Sequence, residues 1–154
     1  MALPAQWPSF DNAEAKPFGA FVEMGDPHAT TYFSRDIAGG INQGSLRWAF
    51  RNPELRFWLE ETGAQVFVLD FLIHSVTLRS TGPVTIEVSI NGQALGRIRC
   101  EHDGEYHFER PVPASWLRTD RPVLVALTPD RVWVSPEKRG VLSFLLRRAG
   151  FRHP

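Results

Sequence analysis

Residues 65–96, QVFVLDFLIHSVTLRSTGPVTIEVSINGQALG, decide the fold class of this chain. From residue 67 to residue 73 every second position is a large apolar residue, which is the period of a β-strand with one buried face. The same alternation returns over residues 84–90, and the STGP sequence at residues 80–83 predicts the turn between the two strands. Asn91-Gly92 then predicts a two-residue hairpin, because both central positions of a type I′ turn need a positive φ.

Turn signals recur every 8 to 12 residues or so along the rest of the chain, as in β-sandwiches. We predict further strands over residues 30–37, 46–50, 55–59, 94–100, 106–108, 123–127, 131–134 and 142–146. No helix of three turns is predicted, and ASWL at residues 114–117 suggests only one helical turn. The expected fold is all-β, an antiparallel β-sandwich or jelly roll of about nine or ten strands.

Length and composition predict a single domain over residues 1–154, with residues 1–29 as a proline-rich extended arm packed on it. The chain is 43% hydrophobic and 22% charged, which is typical of a folded globular protein. Its 17 basic and 17 acidic residues cancel, so we expect neither nucleic acid nor a membrane surface as a partner. MALPAQWPSF does not resemble a signal peptide, and the expected location is the cytoplasm.

Two neighbouring segments, LRWAF at residues 46–50 and LRFWL at residues 55–59, alternate apolar and charged side chains on either side of an Asn52-Pro53 turn. In the first, the period directs Trp48 towards the core and Arg47 towards solvent. In the second it directs Trp58 outward, between two charged residues.

The chain from about residue 46 to residue 151 resembles a β-sandwich module found in bacterial proteins of carbohydrate metabolism, sometimes beside glycosyltransferase domains. The resemblance is carried by LRWAF and LRFWL, the VSINGQALG hairpin, the PVP sequence that ends a predicted strand, and the C-terminal EKRGVLSFLL. Ser143 stands where the related pattern has glycine, and Lys138 separates Glu137 from Arg139. The resemblance implies a carbohydrate-linked, non-catalytic, carbohydrate-binding-module-like jelly roll, and it names no ligand.

Saccharide recognition by such a module needs an aromatic ring for the C–H face of a sugar and planar donors for its hydroxyls. Trp58 with Arg56, and Trp133 with Arg131 and Arg139, are therefore the predicted ligand-binding residues. The alternative for each tryptophan is packing beneath a loop or against the N-terminal arm. The alternative function for the whole chain is a structural or oligomerisation module without a small-molecule ligand.

A group of polar residues at a predicted turn suggests a metal site. His102, Asp103, Glu105 and His107 crowd a predicted turn and raise the possibility of a small metal-dependent enzyme, although Asp-Gly commonly marks only a turn. No catalytic motif is present, so no enzyme and no cofactor is predicted, and a calcium ion held by loop oxygens stays open.

The outward arginines suggest a further hypothesis, a basic stripe able to hold phosphate or a sugar acid. The competing interpretation is neutralisation by cross-strand glutamates. The arginines of this stripe are Arg47, Arg51, Arg56, Arg97 and Arg99.

Overall fold

The computed structural model describes residues 18–134, 136 and 140–154, and eleven strands lie within them. The strands are β1 (Phe21–Glu23), β2 (Phe33–Ile37), β3 (Arg47–Phe57), β4 (Gln65–Ile73), β5 (Val84–Ile90), β6 (Gln93–Cys100), β7 (Gly104–Val112), β8 (Val123–Pro129), β9 (Trp133–Val134), β10 (Val141–Leu142) and β11 (Leu145–Arg152). One α-helix, α1 (Ser75–Thr81), and 3₁₀ turns at Ala29–Tyr32 and Ala114–Trp116 complete the described elements. The predicted all-β fold is confirmed, with slightly more strands than expected.

Every strand pairing is antiparallel, and the strands form the two layers of a sandwich. The strand order is β6-β5-β8-β3-β11-β4-β7, with β1 beside β11 and β2 beside β3, while β9 and β10 form a separate ribbon. The long strand β3 joins the layers, because its start pairs with β11 and its end pairs with β8.

The apolar positions of the deciding stretch face the space between the layers. Phe67, Leu69, Phe71 and Ile73 are all 1% exposed or less, as the alternation predicted. Phe67 packs against Phe151 with ring centroids 5.3 Å apart. Burying each such side chain stabilises the fold by about 1.5–3 kcal/mol.

The predicted hairpin is confirmed, and a short helix interrupts the predicted first turn. Asn91 and Gly92 have φ values of 49° and 85°, as a type I′ turn requires. Residues 75–81 form α1, whose N-terminus is capped by His74, since the imidazole accepts a hydrogen bond from the Val76 amide.

The predicted break at Asn52-Pro53 and the inward placement of Trp48 are both wrong. The chain runs through as the single strand β3, and Arg47 is buried, 1% exposed, while Trp48 is half-buried. Arg47 can be buried because its guanidinium donates hydrogen bonds to the carbonyl oxygens of Met24, Asp26 and Gly39. Burial lowers the Arg47 pKa, and Asp26 partly offsets that effect.

Ser143, the serine in place of the glycine of the related pattern, is also buried. Its hydroxyl oxygen lies 3.0 Å and 2.7 Å from the carbonyl oxygens of Ala49 and Phe50 in β3. Since a buried hydroxyl needs a hydrogen-bond partner, these carbonyls explain how the polar residue is tolerated there.

Candidate functional site

The structure places Trp133 and Arg131 in one groove of about 530 Å³, which we call the Trp133 groove. It lies beyond the end of β8, between the end of α1 and strand β9. Its lining residues are Ser80, Thr81, Arg131, Val132, Trp133 and Val134. This volume falls within the range of about 300–1,000 Å³ that is usual for small-molecule sites.

Arg131 is held in this groove by the helix end. A terminal nitrogen of its guanidinium donates a 2.9 Å hydrogen bond to the carbonyl oxygen of Thr81, the last residue of α1. A guanidinium has five N–H donors, so this bond fixes the side chain and leaves most of its donors for another partner.

Trp133 and Val134 form the apolar part of the groove. Trp133 is half-buried and pairs with Leu142 across the β9–β10 ribbon, whereas Val134 is 57% exposed. The ribbon therefore presents an aromatic residue and an aliphatic residue beside the fixed guanidinium of Arg131. An apolar surface next to directional donors suits a ligand that has a C–H face and ring hydroxyls.

Trp58 and Arg56 lie elsewhere, against the described start of the chain. The Arg56 guanidinium sits 4.7 Å from the ring centroid of Phe18 and donates to the Thr31 carbonyl oxygen at 2.9 Å. Trp58 packs edge-on against Phe18 at 6.1 Å, and its amide donates to the Gly19 carbonyl oxygen. This packing is the alternative that the sequence left open for Trp58, and ligand binding by the pair stays a prediction.

The two tryptophans do not converge on one site. Arg56 pairs with Leu124 near the start of β8, whereas Arg131 follows the end of that strand. The strand spans seven residues, Val123–Pro129, so its two ends lie about 20 Å apart. Arg139, the remaining predicted ligand-binding residue, lies outside the described residues.

The outward arginines do not form a free basic stripe. Arg47 is buried, and Arg97 pairs with Glu87 directly across the β5–β6 hairpin at 3.3 Å. Arg99 pairs with Glu101 at 3.0 Å. Neutralisation by glutamates thus describes these positions better than an anion-binding stripe does.

His107 belongs to a row of ionic side chains that crosses four strands. Glu23 of β1, Arg148 of β11, Asp70 of β4 and His107 of β7 are successive cross-strand partners. The Nδ1 atom of His107 contacts Asp70, and its Nε2 atom lies 3.0 Å from Glu109. Within the described part of the chain, no group of three His, Cys, Asp or Glu side chains is arranged to hold a metal ion.

Both carboxylates raise the pKa of His107 by accepting hydrogen bonds from its imidazole, the bond to Asp70 having the larger effect and the bond to Glu109 the next. The raised value means that the folded state binds the proton more tightly than the unfolded chain does. The resulting stabilisation is therefore complete below the unfolded pKa, about 6.5, and is lost as the pH rises through the higher folded value.

We expect His107→Gln to destabilise the protein more at about pH 5.5 than at about pH 8.5. Because the His107 side chain is 54% exposed, the difference should stay below about 1 kcal/mol. Urea unfolding at both values measures it, with His102→Gln as the control. An equal loss at both values would contradict the assignment to His107, as would the same pH dependence in the control.

Sequence reasoning missed a second groove, of about 610 Å³, beside the Asn91-Gly92 turn. We call it the Trp116 groove. It lies at the start of β8, and its lining includes Asn91, Gln93, Trp116, Arg118, Arg121 and Leu124. The hairpin and the 114–117 turn were both predicted, but nothing in their spacing showed that they meet.

No model of a known protein family matches this chain, and no curated protein matches it in sequence. Solved structures do match its fold. A carbohydrate-binding module, TmCBM27, studied for specific mannan recognition, superposes with a TM-score of 0.53 at 9% identity, over 88% of this chain and 97% of that chain.

Two larger proteins contain a similar region. A family GH115 4-O-methyl-α-glucuronidase, BtGH115A, with specificity for decorated arabinogalactans, gives a TM-score of 0.47 at 7% identity, over 91% of this chain and 18% of that chain. The CBM51-2 and INT domains of Clostridium perfringens ZmpB give 0.39 at 9% identity, over 84% and 28%. The superposition with TmCBM27 shows that the chain has a β-sandwich fold similar to that of a carbohydrate-binding module. Among the described helices, none is long and apolar enough to cross a membrane.

Proposed function

We propose that this chain is a non-catalytic carbohydrate-binding module whose ligand lies in the Trp133 groove. The observation that carries the proposal is the meeting of Trp133 and Arg131 in one groove, with the guanidinium fixed by the Thr81 carbonyl. The likeness in fold to a mannan-recognising module supports the class of function.

In this arrangement the Trp133 ring packs against the C–H face of a neutral sugar, and Val134 extends the apolar contact. The free N–H groups of Arg131 donate to neighbouring hydroxyls of the same sugar, since a planar guanidinium can bind two acceptors at once. Prior fixation of the guanidinium favours binding, because less side-chain entropy is lost when the ligand arrives.

The alternative function is a self-association module. The two terminal strands of the described strand order, β6 and β7, argue against it. Strand β6 carries Arg97 and Arg99, and strand β7 carries Glu105, His107 and Glu109. Charged side chains on terminal strands oppose edge-to-edge pairing with a second copy. Light scattering at high protein concentration tests this alternative, which requires a stable dimer.

We expect a neutral oligosaccharide to bind the wild-type protein and Trp133→Ala to lose at least about tenfold in affinity, or about 1.4 kcal/mol. Calorimetric titration with manno-, cello- and galacto-oligosaccharides measures this, with mannose chains first because the structural neighbour recognises mannan. Arg131→Ala should weaken binding as well, since it removes the hydroxyl donors.

Trp58→Phe is the matched control, because Trp58 packs against Phe18 outside the groove and phenylalanine keeps that contact aromatic. It should leave affinity unchanged. Binding by Trp133→Ala at wild-type strength, or the absence of binding to all three sugar classes, would overturn the proposal.

A further inference from the structure

The Trp116 groove is built on a rigid hairpin. Asn91 forms hydrogen bonds to two neighbouring segments through both its main-chain amide and its side-chain amide. Its side-chain nitrogen donates to the Trp116 carbonyl oxygen at 2.7 Å, and its side-chain oxygen accepts from the Leu124 amide at 3.0 Å. Its own amide donates to the Leu124 carbonyl oxygen at 2.8 Å. One asparagine thus fixes the 3₁₀ turn that carries Trp116 against the first residues of β8.

The groove has an apolar wall with exposed surface. Trp116 is half-buried and packs against the main hydrophobic core, so its position is held from behind. Leu124, the second residue of β8, is 40% exposed although the strand is largely apolar. Gln93, the first residue of β6, adds an exposed amide beside them.

The charge in this groove is positive. The Nε and a terminal nitrogen of Arg118 bind the two carboxylate oxygens of Asp120, each at 2.9 Å, so this pair is internally neutral. Arg121 also faces the groove. The hydrogen bond from Arg118 lowers the pKa of Asp120 and the charge of Arg121 adds to that effect, but none of the ion pairs among the described residues includes the Arg121 guanidinium. Of the lining side chains that the structure describes, none is acidic.

We propose that the Trp116 groove binds a carboxylate-bearing sugar, a uronic acid unit of an acidic glycan. The ring packs against Trp116 and Leu124, and the carboxylate takes a bidentate ion pair with Arg121. Gln93 donates to or accepts from a ring hydroxyl. A carboxylate fits better than a phosphate, because one planar guanidinium matches its two oxygens, whereas phosphate sites gather several donors or a glycine-rich nest.

This site is separate from the Trp133 groove. The two lie at opposite ends of β8, whose seven residues span about 20 Å. The proposal does not depend on neutral sugar binding at Trp133, and either site can fail in experiment without the other.

The experiment is a titration of the full chain, followed through the tryptophan indole N–H resonances. The probes are a galacturonate trisaccharide, the matching neutral galactose trisaccharide, sodium acetate and inorganic phosphate. We expect the galacturonate trisaccharide alone to shift the Trp116 resonance, at a concentration where acetate and phosphate leave it unchanged. Its affinity should fall as salt rises, since the exposed ion pair is screened.

Two variants separate the contributions. Arg121→Gln should lower galacturonate affinity at least about tenfold, equivalent to about 1.4 kcal/mol, while Arg51→Gln, an exposed arginine on β3, should not change it. Trp116→Leu keeps an apolar residue against the core and should also weaken binding, and a melting curve confirms that it is folded.

Several outcomes would overturn the proposal. A shift of the Trp116 resonance by acetate or phosphate at the same concentration would mean that the groove binds anions without recognising a sugar. Equal binding of the neutral trisaccharide would remove the role of Arg121. A galacturonate shift at Trp133 rather than Trp116, or at no tryptophan, would exclude the groove.

Discussion

Arg47→Ala is expected to lower the free energy of unfolding by about 3 to 4 kcal/mol. The side chain is 1% exposed, and its guanidinium holds three carbonyl oxygens from two separate loops. Its loss leaves the buried carbonyl of Met24 without this donor and opens a cavity beside β3. It also removes a cation–π contact, since the guanidinium carbon lies 5.5 Å from the centroid of Phe33.

Arg47→Met separates these effects, because methionine replaces the aliphatic stem and cannot donate. We expect it to recover part of the loss and to remain less stable than wild type. Arg51→Ala, at an exposed position on the same strand, is the control and should change stability by less than about 0.5 kcal/mol. Equal stability of Arg47→Ala and Arg51→Ala in urea unfolding would show that the buried hydrogen bonds are not formed in solution.

Gly150→Ala is expected to destabilise the protein by about 3 kcal/mol or more. Gly150 has a φ of 152°, where residues with a side chain are strained, and it lies in β11 between Phe21 of β1 and Val68 of β4. A Cβ atom there would stand 2.5 Å from the Cα of Phe21 and would also meet the backbone oxygen of Ala20. Because both obstacles are backbone, β1 would have to move away from β11.

Gly63→Ala is the matched control, since a Cβ at Gly63 meets no atom within 4 Å. It should be neutral or slightly stabilising, as alanine restricts the unfolded chain. Thermal unfolding of the two variants compares them directly. A melting temperature for Gly150→Ala within about 1 °C of wild type would contradict the close approach of β1 and β11.

Local patterns were sufficient to predict most of the sandwich. Period-2 alternation and the Asn-Gly turn are properties of neighbouring residues, and they gave β4, β5 and the hairpin with nearly correct bounds. The failures arose where distant parts of the chain decide. Arg47 is buried because its acceptors come from residues 8, 21 and 23 positions away, which no alternation pattern contains.

The candidate sites show the same dependence on distant contacts. The sequence favoured Trp58 over Trp133, although each has an arginine two residues before it. Phe18 and Gly19 pack against Trp58 in the structure, whereas the end of α1 meets Arg131 and forms the groove. The Trp116 groove forms where three separate chain segments meet around Asn91. No local sequence pattern predicts such a meeting.

The central claim is that a saccharide binds in the Trp133 groove. Among the 5 tryptophans of the chain, the indole N–H resonances report which one a ligand contacts. A titration with the neutral oligosaccharide that binds tightest in calorimetry should shift the Trp133 resonance, with a midpoint at the calorimetric Kd, and leave the Trp58 resonance in place. A shift at Trp58 with Trp133 unchanged would contradict the claim.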